Sequence, residues 1–115
     1  MGFLDMFIHP RALKDLGVEE VRQAQSAGAR LVDVRTPSEF RGGHIAGAIS
    51  APLGKTVEAV GSWPRDTRIV LICQSGHRSQ AAAHELLRLG FQEVSHLKGG
   101  MARWSQQGGP CVRQR

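Results

Sequence analysis

The residues best suited to chemistry form a short loop that begins with a cysteine and ends with an arginine and a serine. In order, its members are Cys73, Gln74, Ser75, Gly76, His77, Arg78 and Ser79. The apolar run at residues 68–72 predicts a buried parallel strand before the loop, and residues 79–90 predict a helix after it. Cys73 is therefore expected at the carboxyl end of a strand, where open α/β sheets bind ligands. Amides of the loop and the helix N-terminus would point towards its sulfur, which favours the thiolate.

The main alternative for Cys73 is a structural role, because free cysteines are often simply buried. A structural thiol, however, would need no glycine, arginine and serine beside it, so Cys73 is interpreted as a nucleophile. Residues 74–79 are interpreted as the substrate-binding loop, with Arg78 as the charged ligand that also closes the loop. His77 titrates near neutrality, so it either acts on the thiolate or an acceptor or is an exposed loop side chain.

A second group of polar residues surrounds the predicted strand at residues 31–35. Asp33 and Arg35 lie two positions apart at the sheet edge that also carries Cys73, so both are candidates for catalysis. Buried carboxylates usually need partners, which favours a structural role for this group. We expect an ion pair between Arg35 and Glu39, and loop hydrogen bonds to Asp33, to support the site.

Three other histidines are interpreted as structural. His44 lies in a glycine-flanked turn, where a hydrogen-bonding role in the fold is more common than a role as a base. His84 and His96 are expected to be solvated or packed.

Composition limits the classes of partner and cofactor. The chain has 115 residues, enough for one domain, and its net charge of +5 is spread along the sequence. Few aromatic residues accompany these charges, so nucleic acid is not expected as a partner. The two cysteines form no CxxC pair and the five histidines lack zinc-site spacing, so the sequence predicts no metal site.

The N-terminal apolar run is interrupted by Asp5 and is too short for a signal peptide or a membrane span. The sequence therefore predicts a cytoplasmic protein with free thiols and no membrane partner. Phe3, Phe7 and Ile8 are expected to fold back onto the domain, with contact to a membrane or a partner as the alternative. Cys111 is interpreted as a passive thiol of the tail, with a resolving role towards Cys73 as the alternative.

Hydrophobic patterns and turn residues predict alternating helices and strands. Helices are predicted at residues 18–24, 36–41, 55–61 and 79–90 and from residue 99, and strands at residues 31–35, 44–50, 68–72 and 93–97. Thr36 is the expected N-cap of the second helix, with Pro37 at its first position. This alternation predicts an α/β fold with a central parallel sheet and helices on both faces. The expected organisation is an N-terminal extension (1–16), one domain (17–110) and a C-terminal tail (111–115).

Four sequence motifs, in order and spacing, resemble those of the rhodanese domain over roughly residues 17 to 110. They are Asp33-Val34-Arg35 with Glu39-Phe40, the Gly43 to Ala48 turn, the Cys73 to Ser79 loop, and Gly99-Gly100-Met101-Ala102-Arg103-Trp104. The resemblance implies a sulfurtransferase in which Cys73 takes sulfur from a donor such as thiosulfate and holds it as a persulfide. The sulfur then passes to an acceptor such as cyanide or a thiol, and no metal or organic cofactor is required. The His77-Arg78 ending is similar to the single-domain branch, for which a protein persulfide is a further possible partner.

Two other functions remain open at this stage. A non-catalytic binding or signalling module could use the same fold, although it would not need Cys73. An enzyme acting on arsenate or phosphate could use a related loop. Four residues separate Cys73 from Arg78, whereas the related phosphatases have five, and Ser79 occupies the position of the phosphatase arginine. Phosphoryl transfer is therefore disfavoured.

Overall fold

The computed structural model describes residues 8–114, which form strands and helices in near-regular alternation. The strands are β1 (Lys14–Leu16), β2 (Arg30–Asp33), β3 (Ile49–Ser50), β4 (Arg68–Ile72) and β5 (Glu93–Leu97). The helices are α1 (Val18–Ser26), α2 (Pro37–Arg41), α3 (Thr56–Val60), α4 (Arg78–Arg88) and α5 (Gly100–Gln106). All strand pairs are parallel, in the order β1-β5-β4-β2-β3. The predicted α/β class and parallel sheet are confirmed.

Helices cover both faces of the sheet, as the alternation of elements predicts. On one face, Leu71 of β4 belongs to a buried cluster with Val60 of α3 and Leu86 of α4. On the other face, Val70 of β4 belongs to a cluster with α1 and with Trp104 of α5. Because β4 is apolar on both sides and lies at the centre of the sheet, it fixes the position of the loop that follows it.

The local signals around α2 are confirmed in detail. Thr36 Oγ1 accepts a hydrogen bond from the Glu39 amide at 3.2 Å, and Pro37 occupies the first turn of the helix.

Two strands are shorter than the sequence pattern predicts. The strand predicted at residues 31–35 ends at Asp33, and the strand predicted at residues 44–50 is confined to Ile49–Ser50. The strand β2 ends where the backbone turns to bring Arg35 against Asp33.

The strand β1 is not predicted by the sequence pattern, because Lys14–Leu16 is short and mostly exposed. It pairs with β5 as an edge strand, so residues assigned to the N-terminal extension belong to the sheet. Of the three residues expected to fold back, Phe3 and Phe7 lie outside the described residues. Ile8 is described and is 58% exposed, so its side chain does not pack onto the domain. Among the described helices, none is long and apolar enough to cross a membrane.

The C-terminal segment, residues 110–114, packs against the domain. His44 and Val112 exchange two backbone hydrogen bonds, of 2.9 and 2.8 Å, in an antiparallel bridge. The indole of Trp104 donates to the Pro110 carbonyl at 2.9 Å, and the Gln114 amide donates to the Arg41 carbonyl at 3.1 Å. The segment therefore holds the turn at His44 against the helix α5.

Removing residues 110–115 is expected to lower the free energy of unfolding by roughly 2–4 kcal/mol, because the hydrogen bonds above contribute about 1 kcal/mol each. Urea unfolding followed by Trp fluorescence measures the loss. Cys111→Ser, which changes only an exposed side chain of the segment, is the matched control and should leave the midpoint unchanged. An unchanged midpoint in the truncated chain would show that the segment adds no stability.

Candidate active site

The cysteine loop connects the end of β4 to the start of α4. Cys73 is 1% exposed, and the Gly76 amide donates a hydrogen bond to its Sγ at 2.8 Å. Gly76 has a φ of +97°, a conformation that strongly favours glycine and that turns this amide back towards the sulfur. The glycine of the motif thus supplies a hydrogen-bond donor to the candidate nucleophile.

The N-terminus of α5 holds the same loop through backbone hydrogen bonds. The Met101 amide donates to the Cys73 carbonyl at 2.8 Å, and the Ala102 amide donates to the Gln74 carbonyl at 3.1 Å. A Cβ at Gly100, whose φ is +60°, would collide with the Cys73 carbonyl and the Gln74 backbone. The second glycine of the Gly99-Gly100 motif is therefore explained by the close approach of two backbones.

Asp33 and Arg35 form a buried ion pair with each other. The Arg35 guanidinium donates to the Asp33 carboxylate at 2.8–3.2 Å, and the Arg35 amide donates to it at 3.0 Å. The same guanidinium donates to the Gly43 carbonyl at 2.8 Å and reaches Gln74 Oε1 at 3.4 Å. The pair therefore connects β2 with the turn at Gly43 and with the cysteine loop.

The expected ion pair between Arg35 and Glu39 is wrong. Arg35 lies beyond the end of β2, where its backbone turns and both its amide and its guanidinium reach the carboxylate of Asp33. Glu39 instead accepts two hydrogen bonds from Arg78, at 2.7 and 2.9 Å. This second ion pair joins α2 to the start of α4.

Glu39 and Arg78 form a two-pronged ion pair beside the cysteine loop. The pKa of Glu39 is lowered to about 2. The main cause is the hydrogen bonding from Arg78, and hydrogen bonds from Thr36 lower it further. Both terminal nitrogens of the guanidinium are occupied by Glu39. The roles of Arg78 as a substrate ligand and in loop closure stay predictions, while the observed contacts connect the first residue of α4 to α2.

Glu39→Gln is expected to remove part of the acid sensitivity of the fold. Because the pKa of Glu39 is below its ordinary value of 4.5, its ionised form adds stability above that pH and loses it as the pH falls towards 2. The carboxylate is partly exposed, so after solvent screening the loss should be about 1 kcal/mol. Unfolding curves at a series of acidic pH values measure it.

Glu58→Gln, at an exposed position on α3, is the matched control and should keep the acid sensitivity of the parent protein. If Glu39→Gln and the parent lose stability in parallel on acidification, the ion pair with Arg78 makes no contribution in this pH range.

A buried histidine on β5 is the functional candidate that sequence reasoning missed. His96 is 2% exposed, and its Nδ1 lies 2.6 Å from the hydroxyl of Ser79, which in turn lies 3.6 Å from the Cys73 Sγ. Its Nε2 lies 2.7 Å from Oδ1 of Asp15. Asp15 on β1 and His96 on β5 are register partners of parallel strands, so their side chains share one face.

Burial and the hydrogen bond to Asp15 have opposite effects on the charge of His96. Burial lowers the pKa of His96, and the hydrogen bond to Asp15 opposes that effect. His9 lies 2.6 Å from the same Asp15 oxygen, and this hydrogen bond is the main cause that lowers the pKa of Asp15. Asp15 is therefore ionised near neutral pH, whereas His96 is largely neutral.

Other predicted residues occupy more peripheral positions. His77 is exposed and its Nδ1 lies 3.0 Å from the Ser75 hydroxyl. His44 donates from Nδ1 to the Phe40 carbonyl at 2.7 Å and stacks on the Phe40 ring, as expected of a residue that supports the fold. Cys111 is exposed and unpaired by any disulfide.

A cavity of about 280 Å³ adjoins the cysteine loop and opens beside β5. Loop residues and basic side chains share its lining, which includes Ser75, Gly76, His77, His96, Lys98 and Arg103. A larger cavity of about 470 Å³ lies at the opposite edge of the sheet, near Lys14 and Arg68. The smaller cavity is the candidate substrate site, because it alone of the two includes residues of the loop.

Comparison with known proteins agrees with the fold and the loop. Residues 17–107 match the family described as Rhodanese-like domain, and the chain belongs to this family. It is 42% identical over 94 residues to the uncharacterized protein YqhL of Bacillus subtilis, a match that covers 82% of this chain and 74% of the relative. It is 35% identical over 86 residues to the thiosulfate sulfurtransferase GlpE of Pseudomonas aeruginosa, with 75% and 78% covered.

A solved structure supports the same assignment. The crystal structure of a rhodanese-related protein from Thermoplasma volcanium superimposes with a TM-score of 0.77 at 30% sequence identity. The match covers 86% of this chain and 97% of that one. The recognised family is thus confirmed by sequence and by fold, and relatives named as sulfurtransferases are among its members.

Proposed function

We propose that the protein is a sulfurtransferase that carries sulfane sulfur as a persulfide on Cys73. The observation that carries the proposal is the hydrogen bond from the Gly76 amide to the Cys73 Sγ at the carboxyl end of β4. An amide donor and an adjacent helix N-terminus stabilise a thiolate, which is the reactive form of cysteine. Relatives named sulfurtransferase support the same reaction class.

The reaction is a pair of nucleophilic displacements at sulfur. The Cys73 thiolate attacks the outer sulfur of thiosulfate, a new S–S bond forms, and sulfite leaves with the electron pair of the bond that breaks. A thiolate or cyanide then attacks the outer sulfur of the persulfide, and Cys73 leaves as the thiolate. No net oxidant or reductant is consumed. A carrier of this kind needs a reduced thiol, which fits a reducing compartment such as the cytoplasm.

The loop and the adjoining cavity would bind different parts of the donor. Residues 74–79 would surround the transferred sulfur, with Asp33 and Arg35 holding the loop from the β2 side. The anionic part of the donor would lie in the cavity against Lys98 and Arg103, whose basic side chains line it. Arg78 would act mainly by holding the start of α4 against α2, because two of its five N–H donors bind Glu39 and it does not line the cavity.

The alternatives from the sequence receive less support. An oxyanion enzyme is less supported because four residues, not five, separate Cys73 from Arg78, and Ser79 occupies the position of the phosphatase arginine. A binding module would not require a hydrogen-bond donor aimed at a buried thiol. A protein persulfide remains a candidate donor, since the cavity is open on one side.

Treatment with thiosulfate is expected to add one sulfur atom to Cys73, because this thiol alone lies in the loop. Intact mass, measured with and without reductant, should show the addition in the parent and in Cys111→Ser. The Cys73→Ser variant should show none, with turnover at the background level. Persulfide that forms equally well in Cys73→Ser would refute the assignment. Turnover that fails in Cys111→Ser while persulfide still forms would instead establish a resolving role for Cys111.

Lys98→Ala is expected to raise KM for thiosulfate about three- to tenfold with kcat largely retained, since it removes a charge from the donor site. Lys14→Ala removes the same charge at the opposite edge of the sheet and should leave KM unchanged. Arg78→Ala should lower the unfolding midpoint and affect KM less than Lys98→Ala does. The reverse order of the KM effects would restore Arg78 as the main ligand of the donor.

A further inference from the structure

A continuous chain of hydrogen bonds leads from the candidate nucleophile to the solvent-exposed edge of the sheet. It runs from Cys73 Sγ to Ser79 Oγ (3.6 Å), from Ser79 Oγ to His96 Nδ1 (2.6 Å) and from His96 Nε2 to Asp15 Oδ1 (2.7 Å). Ser79 and His96 are buried, whereas the Asp15 side chain is 40% exposed. The family model and the relatives' names assign no role to these contacts.

The protons along this chain can be assigned in one consistent order. With neutral His96, the Cys73 thiol donates to Ser79 Oγ, and the Ser79 hydroxyl donates to His96 Nδ1. His96 Nε2–H then donates to the carboxylate of Asp15. The Ser79 hydroxyl has one competing acceptor, the Gly76 carbonyl at 3.1 Å, which is farther than His96. Every donor thus has an acceptor when the thiol is protonated.

We propose that Ser79, His96 and Asp15 form a proton relay that accepts the proton of Cys73 when the reactive thiolate forms. The proton of the thiol passes to Ser79 Oγ as the Ser79 proton passes to His96 Nδ1. The products are the Cys73 thiolate, an intact Ser79 hydroxyl that now donates to it, and an imidazolium between Ser79 and Asp15. No atom or electron is gained or lost. The relay rests on the proposed function, because it prepares the nucleophile of that reaction, and it makes these three residues positioning residues.

The charges around His96 favour Asp15 as the residue that holds the imidazolium. The carboxylate contacts Nε2 directly and favours its protonation, while Lys98, and His9 when it is protonated, oppose it. Burial likewise lowers the pKa of His96, so the resting imidazole is neutral and able to accept a proton. The thiolate at the other end of the relay supplies a second negative charge, so the two titrations are coupled.

A purely structural role for the same contacts makes a different prediction. Hydrogen bonds that only position β1, β5 and α4 would change stability when broken, but they would not change the ionisation of Cys73. The pH at which the thiolate forms therefore separates the two roles. It can be followed by the ultraviolet absorbance of the thiolate in a Cys111→Ser background, where Cys73 is the sole cysteine. This measurement needs no sulfur donor.

In this background, His96→Gln and Ser79→Ala should each raise the pH of half-ionisation of Cys73 by about one unit, a tenfold change in the thiolate-to-thiol ratio. Asp15→Asn should shift it in the same direction by a smaller amount. Asp15 is the safest site for folding, because its side chain is exposed and asparagine keeps an acceptor oxygen. His84→Gln, on the outer part of α4, is the matched control and should leave the ionisation unchanged.

A second measurement, the titration of His96 in Cys73→Ser, distinguishes loss of coupling from an effect of the substitutions on folding. Because coupling between two titrating groups is mutual, Cys73→Ser should change the titration of the His96 ring seen by NMR. Ionisation of Cys73 that stays within a few tenths of a pH unit in folded Asp15→Asn and His96→Gln overturns the relay, as does an unchanged His96 titration in Cys73→Ser.

Failure of the relay and failure of the proposed function give separate results. If the relay operates, its variants should form persulfide slowly at neutral pH and recover most of the parent rate at a pH where Cys73 is ionised. If the parent protein ionises as expected but never gains sulfur from thiosulfate or a low-molecular-weight persulfide, the proposed function fails and the relay stands.

Discussion

Parallel pairing of β4 with β2 and β5 places the carboxyl ends of these strands at one edge, and the candidate site depends on this alignment. Cys73 follows β4, Asp33 ends β2, and His96 lies next to the end of β5. Residues far apart in sequence therefore meet without long connecting loops. The amide donors of α5 then hold the Cys73 and Gln74 carbonyls, so the loop is fixed from both sides.

Around the loop, cationic groups are matched by carboxylates. Arg35 is paired with Asp33, and Arg78 is paired with Glu39. Such pairs contribute little net attraction for a distant anion, because each positive charge is already compensated. In the proposed reaction, a thiolate at Cys73 would also be stabilised by oriented dipoles close to it, the Gly76 amide and the Ser79 hydroxyl. Preorganised dipoles of this kind need no rearrangement when charge appears on the sulfur.

Local signals were sufficient for the elements that carry the nucleophile but not for the contacts between elements. The apolar run before Cys73 and the helix after it predict β4 and α4 correctly, because both are long enough to show their periodicity. The strand β1 is too short for such a pattern, so Asp15 has no predicted neighbour and His96 is classed with ordinary packed histidines. The incorrect pairing of Arg35 with Glu39 has a similar origin. Sequence spacing makes the two residues plausible neighbours, whereas the turn after β2 directs Arg35 back to Asp33.

Glycine allows the loop, α5 and β5 to approach one another closely beside the sulfur. A Cβ at Gly76 would lie 3.3 Å from the Gly99 amide nitrogen and 4.0 Å from the His96 ring. Because Cys73 is 1% exposed, the proposed chemistry would favour a donor that delivers a single sulfur atom. The larger part of that donor would then lie in the adjoining cavity, beside Lys98 and Arg103. In this proposal the loop selects for transfer of one atom, and the leaving group is recognised outside the loop.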